Sequence, residues 1–256
     1  MDWKMFSDEL NRLIRPQSFP LGAKLLPGRD ELPGKATRPA KYGIQISLCQ
    51  WTTMARRWGR ILGATAEDIN CTPCLAALGF KRMAEPSALA AYFMEMGYFE
   101  TSEGAERAVD ELGVLPPGRF GAICFFPLHM APFEPDIVLI YGSPAQMSRL
   151  VAGHLYHSGE TVVSRTTIGI SCLSGLKPFF DGKPTLVHPG RGERILAGTD
   201  EGEMLFACPA GLCSPLLNGL RQTHERGSRY PVQSYLVYEP PVLPPMKHLG
   251  EKLSDL

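Results

Sequence analysis

Apolar residues recur at helical spacing at the start of the chain. Trp3, Phe6, Leu10 and the pair Leu13/Ile14 fall on one face of an amphipathic helix over residues 2–15, which Pro16 and Pro20 end. Residues 23–26 read as a short strand, and a loop rich in Gly, Pro and charge runs from Pro27 to Lys41. The pattern then predicts a strand at Tyr42–Ser47 and a helix at Leu48–Leu62, its apolar side formed by Met54, Trp58, Ile61 and Leu62. Pro73 precedes a run of small and apolar residues, as expected for proline in the first turn of a helix. Two further short helices are expected at 87–96 and 103–112. After Pro116–Pro117–Gly118, the unbroken apolar runs at 120–126 and 136–141 read as strands buried on both faces. Ser143 and Pro144 suit the N-cap and first position of a helix reaching about His154. Residues 161–170, 204–207 and 234–238 are the remaining strand candidates, 215–226 reads as a helix, and the Pro-rich tail from Pro240 reads as peripheral.

These elements imply an α/β fold, a mixed sheet flanked by short helices, in a single domain over 1–256 that divides into halves near 116–119. A strand, a helix and then Cys71 in the first half match a strand, a helix and then Cys172 in the second. This suggests two pseudo-repeated strand–helix–Cys units with Cys71 and Cys172 near one pseudo-twofold axis.

Composition narrows the class. Hydrophobic residues make up 44% and charged residues 20%, the range of a folded globular chain. The formal net charge is zero, which disfavours a phosphate-backbone partner, so no nucleic acid is expected. Arg56, Arg57 and Arg60 read as a solvated helix face. No run approaches the roughly 20 apolar residues that span a bilayer, and the N-terminal residues lack a signal-peptide core. The expected setting is the cytoplasm, without a membrane.

Seven cysteines, an odd number, fit a disulfide framework poorly. They are metal ligands, reactive thiols or buried packing residues. Cys71 and Cys74 are the foremost pair, because a C-x-x-C spacing lets two sulfurs meet and a helix start would favour the thiolate. A tetrahedral metal or iron–sulfur site takes four ligands, so Cys49, Cys172, Cys208 and Cys213 are the candidates to complete it. Cys124 sits inside an apolar run and reads as packing. A thioredoxin-type role fits less well, since Cys71 follows an acidic turn in a long chain rather than a strand near the start of a small domain. His154 and His157 read as a solvated helix end. Gly190–Arg191–Gly192–Glu193–Arg194 reads as a surface turn, and no nucleotide loop or serine triad can be assembled.

Several segments together resemble the domain-of-unknown-function 169 family, common in archaea and anaerobic bacteria. They are Cys49 with Met54–Ala55–Arg56, and Glu67–Asp68–Ile69–Asn70–Cys71 with Leu78–Gly79. Asp136–Ile137–Val138, Gly142–Ser143–Pro144–Ala145–Gln146, and Cys172 with Gly192, Arg194 and Glu203 complete the resemblance. It implies an α/β fold and a cytoplasmic setting, and supplies no activity. The functional expectation is a cysteine-rich cofactor-binding protein holding an iron–sulfur cluster or thiophilic metal, with a redox or accessory role in anaerobic metabolism. The alternative is a small-molecule or tetrapyrrole (haem-like) binding module. It would use the ends of the 120–126 and 136–141 strands, with Arg194, Ser143 and His129 contacting the ligand. A small molecule or a redox partner protein is the expected partner, and a homodimer is compatible with the chain.

Overall fold

The computed structural model describes residues 1–85, 87–164, 166, 171–232 and 244–253. Helix α1 (Trp3–Leu13) starts at Asp2, whose carboxylate accepts from Met5 N, and leads to strand β1 (Leu21–Leu26). Helix α2 (Leu48–Trp58) and strand β2 (Leu62–Ala64) follow, then helices α3 (Thr72–Ala77), α4 (Ala88–Glu95) and α5 (Ser102–Leu112). Strands β3 (Ala122–Pro127) and β4 (Ile137–Gly142) form the hydrophobic middle of the chain. Beyond them come α6 (Pro144–Ser158), α7 (Pro178–Asp181), β5 (Thr185–Val187), α8 (Arg191–Ala197), β6 (Met204–Pro209), α9 (Cys213–Glu225) and α10 (Pro244–Gly250).

The fold is α/β, and the six strands among the described residues form one sheet in the order β2-β3-β1-β4-β6-β5. Among the described residues every ladder is antiparallel, and parallel pairing is confined to isolated bridges such as Thr37 with Leu62 and Ser164 with Leu186. The order contains a repeat. Leu21 pairs with Pro127 and Leu62 with Phe125 in the first half, as Ile137 pairs with Pro209 and Thr185 with Ala207 in the second. The two three-stranded units thus share one register. Each ends in a proline followed by a 3-10 turn, Leu128–Met130 and Ala210–Leu212. They join through Leu21–Leu139, Gly22–Val138 and Ala23–Ile137, a ladder symmetric about Gly22 and Val138.

The duplicated elements differ from the predicted ones. Residues 42–47 form no strand. Pro39 opens a 3-10 turn ended by Gly43 at φ 70°, and only Ile46 bridges onward, to Ile69. Cys71 follows β2 while Cys172 precedes β5, so the two cysteines do not occupy equivalent positions. The strand expected at 161–170 lies largely outside the described residues, and the one at 234–238 lies wholly outside them.

Strand alternation sorts the core into layers. Leu21, Ala23, Ile123, Phe125, Ile137, Leu139, Tyr141, Leu205 and Ala207 face the layer containing α2 to α5. Val138, Ile140, Phe206 and Cys208 face α1, α6 and α9, while Cys124 and Phe126 join a small cluster on their own half. Both sides are covered, which is why these strands read as unbroken apolar runs.

Two features pin the layers. Arg56, expected on a solvated face, is fully buried on α2. Its Nη1 and Nη2 donate to Glu203 Oε1 and Oε2 at 2.6 and 3.0 Å, and its guanidinium stacks 4.2 Å from the Tyr141 ring centroid. On the other face, α6 and α9 meet at Gly153 and Gly219, where a Cβ at 219 would press on the Gly153 carbonyl. In an open helix Gly→Ala is favourable by about 1 kcal/mol. Here the steric conflict with backbone dominates, and Gly219→Ala is expected to destabilise the chain by about 1–3 kcal/mol in denaturant unfolding. Glu203→Gln strands a buried guanidinium, and a loss of roughly 3–5 kcal/mol is expected. Unchanged unfolding midpoints would contradict both assignments.

Candidate functional site

A turn held by Asp68 delivers the first two cysteines. Its buried carboxylate accepts from Thr65 N and Thr65 Oγ1, both at 2.9 Å, from Ala40 N at 3.1 Å and from Arg38 Nη2 at 2.7 Å. Burial pushes this carboxyl up, but those hydrogen bonds more than offset it and hold it below the usual carboxylate range. Cys71 then caps α3, with Pro73 inside the first turn, as the spacing predicts. One helical turn later Cys74 projects back beside it, and the two Sγ atoms lie 3.2 Å apart.

The third sulfur comes from the other half of the chain. Cys172, in the 3-10 segment Ser171–Leu176, places its Sγ 3.8 Å from that of Cys74. Cys49, on the first turn of α2, lines the same cleft, with its Sγ 3.0 Å from Ser47 Oγ and 3.8 Å from the Gly192 carbonyl. The cleft has a volume of about 760 Å³. Cys74 and Cys49 are buried in its floor, whereas Cys71 and Cys172 are partly exposed. Tyr92, Met96 and Tyr98 form one wall, and Arg191, Gly192, Ile195 and Leu196 form another. Among the described residues, no group of three or more His, Cys, Asp or Glu side chains is already arranged to hold a metal ion.

The remaining predicted ligands do not join this cleft. Cys208 and Cys213 are fully buried on the opposite face of the sheet, among α1 and α9, because β6 points Cys208 away from the layer that holds Cys71. Cys124 is buried, as expected for packing. Ser143 caps α6, accepting from Gln146 N, while Gln146 Nε2 turns back to the Ile14 and Arg15 carbonyls. Arg194 donates to the Asp200 carbonyl, and the His129 ring stacks 4.9 Å from Phe19. These three serve local structure at separate places, so the structure does not assemble the strand-end ligand site drawn through them.

Residues 190–194, expected as a surface turn, instead start α8 beside the sulfurs. The Glu193 carboxylate accepts from Gly190 N at 3.0 Å, and Arg191 faces the cleft. A Glu three positions after Gly190 was the available sign of this helix start. Tyr92, Met96 and Tyr98 carried no comparable signal.

The thiols differ in acidity. The Cys74 side chain beside Cys71, aided by the Cys74 backbone N–H, holds the Cys71 thiol down to about 7 despite burial. Burial and the neighbouring Cys172 push Cys49 up to about 12, and burial alone does the same for Cys124. Contacts with Cys172 and Cys71, with full burial, raise Cys74. Alkylation by iodoacetamide, mapped by mass spectrometry, is therefore expected to select Cys71 over Cys49, Cys74 and Cys124. Its rate should rise through a half-maximum near pH 7. Equal labelling of those four, or no inflection between about pH 6 and 8, would contradict the arrangement.

A Methanocaldococcus jannaschii protein named "Uncharacterized protein MJ0308" is 27% identical over 164 residues, covering 63% of this chain and 70% of that protein. No solved structure matches the chain. No described helix is long and apolar enough to cross a membrane. The DUF169 family model, described as uncharacterised ArCR, matches residues 9–219, and the chain belongs to that family.

Proposed function

We infer that this chain is a thiol-based cofactor-binding protein whose Cys71, Cys74 and Cys172 hold a thiophilic metal ion or an iron–sulfur cluster, in a redox or accessory role. The observation that carries this reading is the meeting of three sulfurs from two halves of the chain in one open cleft. Tetrahedral zinc, with Zn–S of about 2.3 Å, separates its sulfurs by about 3.8 Å. The Cys74–Cys172 spacing of 3.8 Å fits that edge, and the 3.2 Å Cys71–Cys74 spacing must widen to reach it. Cys49 is the fourth sulfur on the cleft and would need to leave Ser47 and Gly192 to take part. Such a group, when bound, supplies Lewis acidity or an electron. The chain's own residues supply soft anionic ligands and an accessible open side.

A second reading, a small-molecule or tetrapyrrole site, is favoured by the walls rather than the floor. Two tyrosines, a methionine and two aliphatic side chains beside Arg191 suit an apolar ligand carrying an acidic group. Anaerobic purification with metal and sulfide analysis separates the two. The metal reading expects at least one metal per chain, reduced tenfold or more in Cys71→Ser and Cys74→Ser, and no Soret band. A metal-free protein, or metal content indifferent to both substitutions, would overturn it.

A further inference from the structure

Of the three sulfurs, that of Cys74 is the one that both of the others contact. Cys74 is 1% exposed, with Cys71 at 3.2 Å and Cys172 at 3.8 Å. Both outer cysteines are partly exposed to the cleft, and all seven are free thiols. A spacing of 3.2 Å is closer than a metal edge requires, and needs only about a further 1.2 Å to reach a disulfide bond of about 2.05 Å. Cys71 is the extended N-cap residue and Cys74 lies in the first turn of α3, so the 3.2 Å gap between their sulfurs closes by side-chain rotation with modest backbone adjustment. The buried central thiol therefore has two alternative partners, one from each half of the chain.

We propose that Cys71, Cys74 and Cys172 form a thiol–disulfide relay that reduces a low-molecular-weight disulfide bearing an acidic group, bound in the cleft above them. The Cys71 thiolate attacks one sulfur of the substrate RSSR. A Cys71–SR bond forms, the substrate S–S bond breaks, and RS⁻ leaves and takes a proton from solvent. Cys74 then loses its proton and attacks the Cys71 sulfur, forming Cys71–Cys74 and expelling the second RSH. Cys172 attacks the Cys74 sulfur in turn. The disulfide moves to Cys74–Cys172 and Cys71 is released as a thiol with the proton Cys172 gave up. Overall, two protein thiols and RSSR become one protein disulfide and two RSH, and an external dithiol returns the protein to its reduced form.

The substrate class follows from the cleft. A volume of about 760 Å³ admits a small molecule next to Cys71. Arg191 is an exposed cation on its wall, whereas Glu193 on the same wall is buried and accepts from Gly190 N. An exposed charge is screened at ordinary ionic strength, so selectivity for an acidic over a cationic disulfide should be modest, roughly threefold.

The relay needs no metal, so it goes beyond the preceding reading and is tested in chelator. The reduced full chain is mixed with equimolar oxidised glutathione, quenched with an alkylating agent and mapped by mass spectrometry. Both Cys71–Cys74 and Cys74–Cys172 disulfides are expected, with Cys124, Cys208 and Cys213 alkylated or unreacted. Cys172→Ser should stop at Cys71–Cys74. Cys74→Ser, with Cys74→Ala as the variant that leaves no polar group in the core, should retain glutathione on Cys71. Glutathione should react roughly threefold faster than cystamine, a preference lost in Arg191→Ala. Absence of both disulfides in the unsubstituted chain, or a glutathione adduct elsewhere than Cys71 in the Cys74 variants, would overturn the relay. Equal rates with glutathione and cystamine would overturn its substrate class. Metal titration of the reduced chain is scored separately, so either reading can fail while the other stands.

Discussion

The antiparallel pairing of β1 with β4 is the constraint on which the rest of the molecule depends. Only three residues of each strand take part, and the ladder is symmetric about Gly22 and Val138. It fuses two three-stranded units of identical register into one six-stranded sheet and removes one open edge from each. Gly22 suits this position, because a Cβ there would run into the Phe126 ring. Since the units meet edge to edge, their faces are continuous, and segments leaving either half can lie over the seam. The cysteine cleft is built this way. Cys49, Cys71 and Cys74 come from the first half, and Cys172 and the α8 wall come from the second.

Charged groups hold those segments in place. Arg56 on α2 reaches across to Glu203, which precedes β6, and it also lies over Tyr141 on β4. This pair fixes α2, and with it Cys49, against the second half. Asp68 gathers Arg38, Ala40 and Thr65 around one carboxylate and so fixes the approach to Cys71. A buried ion pair offers little net stability over apolar packing, but the loss of one partner is costly, which makes such pairs strict about geometry. The segments that carry the family resemblance include Arg56, Asp68, Ser143 and Glu203, and each of these acts on the scaffold. Cys71 and Cys172 from the same segments line the cleft.

Much of the fold was legible in the sequence because its signals are local. Apolar periodicity marked α1, Ser143–Pro144 marked α6, the apolar runs marked β3 and β4, and Pro73 marked the helix that follows Cys71. The C-x-x-C pair identified the foremost thiols for the same reason. What the chain did not display was long-range. Residues 42–47 have strand-like composition, yet Pro39, Gly43 and the Asp68 network bend them into a turn. Arg56 reads as a surface residue until Glu203, 147 positions away, is placed beside it. Spacing alone gave no means of choosing Cys49 and Cys172 over Cys208 and Cys213 as companions of Cys71. Strand alternation in β6 and the sheet order make that choice, and they depend on register rather than on motif.

The central claim is that sulfurs from both halves of the chain meet at one place. Long-wavelength anomalous diffraction from crystals of the reduced chain would locate every sulfur directly. The account predicts Cys71, Cys74 and Cys172 in one cluster, with neighbouring Sγ atoms at 3.2 and 3.8 Å. It predicts Cys49 on the wall of the same cleft, and Cys208 and Cys213 on the far side of the sheet. A position for Cys172 outside contact with Cys74 would contradict it.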